Sequence, residues 1–178
     1  MPNERSYMVF TAVGPDRPGL VNEISSSIHQ AGANLEDSRM AILGGEFALI
    51  LLLSCPPGAI ERVKQCGARL ESDLRLRCIL KETQLQATPG DYLLYEIRVT
   101  GVDRPGIVQA IAGILAARGV NLASLESRVS YAPLSGTPMF VLEAALQVPS
   151  KLDLSALRSE LAARCEAENL DFTLESRA

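Results

Sequence analysis

One motif, repeated at a fixed distance, constrains the fold of this chain more than any other feature of its sequence. The pattern Gly-x-Asp-Arg-Pro-Gly occupies residues 14–19 and returns at residues 101–106, 87 positions later. The similarity extends beyond the motif at the same spacing, through the pairs Ile24/Ile111, Gly32/Gly119, Asn34/Asn121 and Leu35/Leu122. Self-similarity of this length is the signature of a duplicated architecture, so the sequence predicts two copies of one structural unit.

The motif is interpreted as a turn between a strand and a helix. An apolar stretch at residues 8–13 precedes it, and an apolar stripe at helical spacing follows, formed by Val21, Ile24 and Ile28. Pro18 suits the first helical position, since its missing N–H has no intrahelical partner there, and Arg17 would then cap the helix. Gly19 would leave bare backbone N–H groups at the helix start, where a carboxylate or phosphate binds readily. The alternative is that Gly19 only lets the helix pack close to its strand.

Composition restricts the class of protein. The chain has 178 residues, of which 47% are hydrophobic, so two units of roughly 80 residues can each hold a core. A net charge of -4 and the absence of a basic run argue against direct contact with nucleic acid. The polar N-terminus is no signal peptide and the longest apolar run, 47–53, is too short to cross a membrane. These features, with four unpaired cysteines, predict a cytoplasmic protein with reduced thiols.

The pattern along the chain predicts an α+β fold of two ferredoxin-like βαββαβ domains. Each domain is an antiparallel four-stranded sheet with two helices on one face. The predicted domains span residues 1–82 and 92–178, joined by a linker at residues 83–91. In the first, strands are predicted at 7–13, 34–43, 47–55 and 75–82, with helices at 18–31 and 59–70. In the second, strands are predicted at 93–100, 121–131, 139–148 and 171–175, with helices at 105–118 and 153–168.

The two predicted sheets differ on the face that points away from the helices. Side chains alternate along a strand, so placing Phe47, Leu49, Leu51 and Leu53 against the helices turns the intervening residues outward. The outward set in the first unit is apolar: Tyr7, Val9, Val13, Ala48, Ile50 and Leu52. The matching set in the second unit suits water: Glu96, Arg98, Thr100, Glu143 and Gln147. The sequence therefore predicts that the first face is covered by a second chain or a partner protein. The alternative is that the second unit folds back over it.

The motif resembles that of the ACT domain, a small regulatory module that binds amino acids, usually in pairs. The resemblance rests on Asp-Arg-Pro-Gly after the first strand and Gly-x-Asn-Leu at the second, while segments 14–21, 34–39 and 44–47 resemble a free-standing ACT pair more closely. It implies that a small amino acid lies between two units, against the loop after strand one and the start of strand two. Carried onto this chain, that site comprises Asp16, Pro18, Gly19, Leu20 and Asn34, with Asp103, Pro105, Gly106, Ile107 and Asn121. Helix capping is the alternative role for the aspartates, and turn chemistry for the asparagines.

The resemblance implies a sensor of a small amino acid, glycine, without catalysis and without a cofactor. Among free-standing ACT pairs it points to one that represses glycine-cleavage genes through a transcriptional activator protein and does not bind DNA itself. A homo-oligomer is expected. The alternative is a regulatory module of an amino-acid enzyme such as phosphoserine phosphatase, acting in trans or cut from a longer chain. An unrecognised enzyme is disfavoured, because His29 is the only histidine and lies off the apolar stripe.

Overall fold

The computed structural model describes residues 6–85 and 91–177, and the chain divides into two compact units, Met1–Ala87 and Thr88–Ala178. The first unit comprises β1 (Ser6–Pro15), α1 (Leu20–Gln30), β2 (Asn34–Leu43), β3 (Glu46–Cys55), α2 (Ile60–Leu74) and β4 (Arg77–Thr83). The second comprises β5 (Tyr92–Val102), α3 (Ile107–Ala117), β6 (Asn121–Tyr131), β7 (Pro138–Pro149), α4 (Leu154–Ala167) and β8 (Leu170–Ser176). Of the predicted linker at 83–91, residues 86–90 lie outside the described residues.

Both sheets are four-stranded and antiparallel, in the orders β2-β3-β1-β4 and β6-β7-β5-β8. This confirms the predicted α+β fold of two βαββαβ units. The β2–β3 hairpin turns at Gly44 and Gly45, which both have positive φ, of 61° and 84°. Two consecutive positive φ values suit the tight turn that joins twisted antiparallel strands, and the sequence predicted a turn here.

Each unit buries one face of its sheet beneath its two helices. In the first unit, the predicted inward residues Phe47, Leu49, Leu51 and Leu53 are all buried. The predicted helix stripe is wrong at one position, because Leu20 is buried and Val21 is 48% exposed. The helix begins at Leu20, so the buried positions fall four residues apart at Leu20, Ile24 and Ile28.

The first glycine of each motif is required by close packing. Gly14 and Gly101 lie near the ends of β1 and β5, opposite the turn that enters the last strand of each unit. A Cβ on Gly14 would lie 3.0 Å from the Arg75 carbonyl oxygen, and one on Gly101 would lie 3.1 Å from that of Asn169. A glycine inside a strand commonly marks such an approach of two backbones. The repeat therefore preserves the packing that fixes where each motif leaves its sheet.

Candidate ligand-binding site

The two motif loops have the same backbone geometry. Gly19 precedes α1 with φ of 92°, and Gly106 precedes α3 with φ of 97°. Each glycine carbonyl accepts the first helical hydrogen bond, from Glu23 N at 3.0 Å and from Ala110 N at 2.9 Å. The glycines are thus the residues that flank the helices. The prediction that Pro18 opens the helix and that Arg17 caps it is wrong. Gly19 has a left-handed backbone conformation and is itself the cap residue, so the helix begins at Leu20.

The glycines serve backbone conformation and not close packing. A Cβ at Gly19 would meet only Glu23 Oε1, at 3.5 Å, and a Cβ at Gly106 would meet nothing within 4 Å. The alternative interpretation of Gly19, as an aid to close helix packing, is therefore wrong. Positive φ costs other residues free energy, so glycine is the residue that permits this entry into the helix.

The first turn of each helix keeps its backbone N–H groups without a side-chain cap among the described residues. The side chains of Asp16 and Asp103 therefore do not cap these helices. Each aspartate instead fixes the loop through its backbone, with Asp16 N donating to Gly45 O at 3.1 Å and Asp103 N donating to Pro138 O at 2.9 Å. Uncapped N–H groups at a helix start can donate hydrogen bonds to a ligand carboxylate, and the helix dipole favours that negative charge.

A groove of about 680 Å³ runs beside the loop of the first unit. The loop and the start of α1 form one wall, and the edge strand β2 forms the other through Met40 and Ile42. Four of the predicted ligand residues of this unit line it together: Asp16, Pro18, Gly19 and Leu20. Asn22 and Ser25 add polar groups that the sequence interpretation had not singled out.

The predicted asparagines do not join the loops of their own units. Asn34 pairs with Ser54, which is level with Tyr7 at the start of β1, whereas the loop leaves β1 after Pro15. At a rise of roughly 3.3 Å per residue, the two ends of the sheet are about 30 Å apart. Asn121 holds the matching position in the second unit, since it pairs with Gln147, which is level with Leu94. The separation follows from the βαββαβ order, because α1 carries the chain back to the other end of the sheet before β2 begins.

The asparagine side chains have different partners in the two units. Asn34 Nδ2 donates to Glu36 Oε1 at 3.0 Å, and Ser54 Oγ lies 2.5 Å from the same oxygen. Asn121 Nδ2 donates to Gln147 Oε1 at 2.8 Å. These bonds run between side chains and not to the backbone, so turn formation is not the role of either asparagine.

The outward faces of the two sheets differ as the sequence predicts. In the first unit Val13 and Ile50 are 41% and 46% exposed, while Tyr7, Val9, Ala48 and Leu52 are half-buried. The second unit carries ion pairs on the matching face, from Arg98 to Glu143 at 2.7 Å and from Arg177 to Glu96 at 3.4 Å. What covers the apolar face of the first unit stays a prediction.

Other chemistry is sparse in residues 6–85 and 91–177. Within these residues there is no cluster of His, Cys, Asp and Glu that could hold a metal ion. None of the described helices combines the length and apolarity needed to cross a bilayer. Cys55, Cys66 and Cys165 are buried, and burial raises the pKa of each thiol. Burial, followed by the negative charge of Glu71, raises the pKa of Cys78 to about 11, so this thiol is not activated as a nucleophile.

Comparison with known families agrees with this geometry in both units. Models described as the ACT domain match residues 6–85 and residues 95–162. The chain belongs to the ACT-domain family. The two matches together include both motif loops and the edge strands β2 and β6, so each ACT unit carries its own copy of the loop.

Similarity to individual proteins extends over nearly the whole chain. The glycine cleavage system transcriptional repressor of Escherichia coli is 29% identical over 167 residues, which are 94% of this chain and 88% of that protein. A crystal structure of an unknown protein from Galdieria sulphuraria is 31% identical with a TM-score of 0.86, covering 98% of this chain and 100% of that one. Another, assigned provisionally as a glycine cleavage system transcriptional repressor, is 30% identical with a TM-score of 0.73, covering 98% of both chains. The tandem of two ACT units is thus shared along its full length.

Proposed function

We propose that this chain is a non-catalytic regulator that senses a small amino acid, glycine, and represses glycine-cleavage genes through an activator protein. The observation that supports it most is the pair of motif loops, each opening a helix whose first N–H groups have no side-chain cap. The similarity to a glycine cleavage system transcriptional repressor supplies the biological context.

The chemistry of the loop suits a zwitterion. The ligand carboxylate binds to the uncapped N–H groups at the start of the helix, where the helix dipole favours negative charge. The ammonium group binds to the side chain of Asp16 or Asp103, which follows the end of β1 or β5 in each unit. A ligand without a large side chain is favoured, because the glycine backbone at the loop permits a close approach.

The asparagine is supplied by another copy of the fold. Asn34 lies at the far end of its own sheet from the loop, and the edge strand β2 is exposed along its whole length. Antiparallel pairing of β2 with the same strand of a second chain brings the start of one strand level with the end of the other. This arrangement makes ligand binding depend on a homo-oligomer.

Calorimetry with glycine, serine and alanine tests the sensor. The full chain should bind glycine, and replacing Asn34 and Asn121 together by alanine should weaken binding at least about 10-fold, since a hydrogen bond to a charged group contributes roughly 1.5–3 kcal/mol. Gln65→Ala removes an exposed amide from α2 and should leave the affinity unchanged. No heat of binding for any of the common amino acids at millimolar concentration would refute the sensor.

The proposed mechanism also predicts that the protein acts on DNA only through its partner. With a net charge of -4, the purified chain should not shift glycine-cleavage operator DNA in a gel at physiological salt. Adding the activator protein should produce a complex that contains both proteins. Specific binding of operator DNA by the chain alone would contradict the partner-mediated mechanism.

A further inference from the structure

The last strand of the first unit, β4, extends the apolar face of the first sheet and adds two positive charges to its border. β4 pairs with β1, and the register places three of its side chains beside outward residues of β1: Arg77 opposite Val13, Ile79 opposite Thr11 and Lys81 opposite Val9. Residues directly opposite each other in an antiparallel pair share a face of the sheet. Ile79 is 68% exposed, more than Val13 or Ile50. The apolar face therefore continues to the edge of the sheet.

Both cations of β4 lack an acidic partner. Arg77 and Lys81 are exposed, and neither forms an ion pair with any other described residue. The adjacent acid, Glu82, lies on the helix side of the sheet, where its Oε1 is 3.0 Å from Lys64 Nζ of α2. Four residues along a strand span roughly 13 Å, so the two charges stand at separate points of one edge. β4 thus borders the apolar face with two unpaired positive charges.

The second unit has the opposite charges at the same positions. The pairing of β8 with β5 matches that of β4 with β1, and it places Asp171 and Glu175 where the first unit has Arg77 and Lys81. The centre of the second face carries ion pairs instead of apolar side chains. The basic border therefore accompanies the apolar face and is not a general property of the repeated fold.

We propose that the apolar face of the first sheet binds a partner protein whose own apolar surface is bordered by carboxylates, and that Arg77 and Lys81 pair with those carboxylates. Burial of apolar area stabilises such a complex, while the charges at the border speed its formation and select the partner. The inference rests on the proposed function for the identity of the partner, which is the transcriptional activator.

A second copy of the same face suits this surface less well. Two copies would bring four such cations into one interface. The acids on this side of the sheet are engaged or lie at its margin: Asp37 pairs with Arg39, Glu36 accepts from Ser54 Oγ, and Glu46 lies beside the hairpin turn. Like charges that meet across an interface oppose association. A different protein can place a carboxylate opposite each cation.

Charge reversal on β4 tests this surface. Replacing Arg77 and Lys81 together by glutamate should weaken binding of the full chain to the purified activator protein at least about 10-fold, because like charges then face each other at the border. Surface plasmon resonance, with and without glycine, measures the affinity. Raising the salt from about 0.05 M to about 0.5 M should weaken the wild-type complex at least about threefold and affect the glutamate variant less.

Two further variants are the controls. Arg69→Glu together with Lys151→Glu makes the same change in net charge at exposed positions, on α2 and in the turn before α4, and should bind the activator within about twofold of the wild type. Arg77→Lys together with Lys81→Arg keeps both charges on β4 and should also bind within about twofold. All of these side chains are exposed, so the melting temperatures should stay close to that of the wild type.

The outcomes separate this inference from the proposed function. If the wild-type chain and the glutamate variant bind the activator equally well, the surface is assigned wrongly while activator-mediated repression stands. If the wild-type chain does not bind the activator, partner-mediated repression is refuted and the inference with it. A dimer of the chain alone that Ile79→Asp dissociates would place a second copy on this face and would also overturn the inference.

Discussion

Gly101→Val should destabilise the protein by about 3 kcal/mol or more, the largest effect on folding that we expect from a single substitution. A Cβ at this position would meet the Leu170 side chain and would lie 3.3 Å from Leu170 Cα. It would also lie 3.1 Å from the Asn169 carbonyl oxygen. Two of these three atoms belong to the backbone of a turn, so repacking a side chain cannot relieve the clash. Chemical denaturation of the full chain measures the loss.

The control for this substitution is another glycine without positive φ. Gly113 lies in α3, and a Cβ there would meet nothing within 4 Å. Gly113→Ala should therefore stabilise the protein by roughly 0.5–1 kcal/mol, because alanine loses less conformational freedom in a helix. Equal stability of Gly101→Val and the wild type would show that the backbone before β8 can shift to accept a side chain. Close packing would then not be the reason for the first glycine of the motif.

Ile50→Asp should abolish the association that we predict over the apolar face of the first sheet. Ile50 is 46% exposed at the centre of that face, and its cross-strand neighbour Arg39 already pairs with Asp37, so burying a further aspartate there costs several kcal/mol. The second unit has Glu143 on its matching face, where ion pairs with Arg98 and Arg128 accompany it. Sedimentation of the full chain, alone and with the activator protein, measures the loss.

Thr173→Asp is the matched control, since it adds the same charge to the exposed outward face of the second sheet, opposite Arg98. It should leave both self-association and partner binding as they are in the wild type. A variant with Ile50→Asp that sediments like the wild type and still binds its partner would rule out this face as an interface. Glycine binding should persist in both variants, since neither side chain reaches a motif loop and the proposed shared site forms by pairing along the edge strand β2, not across this sheet face.

The repeat and the alternation of side chains were enough to predict most of the fold. β2 and β6 begin and end at the predicted residues, because Gly32 or Gly119 precedes each strand and a turn sequence, Gly44-Gly45 or Ala132-Pro133, follows it. The inward face of β3 was also predicted correctly, since Phe47, Leu49, Leu51 and Leu53 are buried although the opposite face of the strand is apolar as well. The start of α1 was predicted two residues too early, at residue 18. The left-handed conformation of Gly19 delays the helix to Leu20, so Leu20 and not Val21 lies on the buried stripe.

Sequence by itself determined that the chain has two copies of one fold, which residues form the loops, and which sheet face is apolar. These properties follow from local patterns that recur every two or four residues, or every 87. Only the tertiary structure decided which acids the motif arginines contact, with Arg17 paired to Glu23 and Arg104 paired to Glu168. The second pair joins residues 64 positions apart, a contact that no local pattern contains. A motif that repeats residue for residue cannot reveal that its neighbours in space have changed.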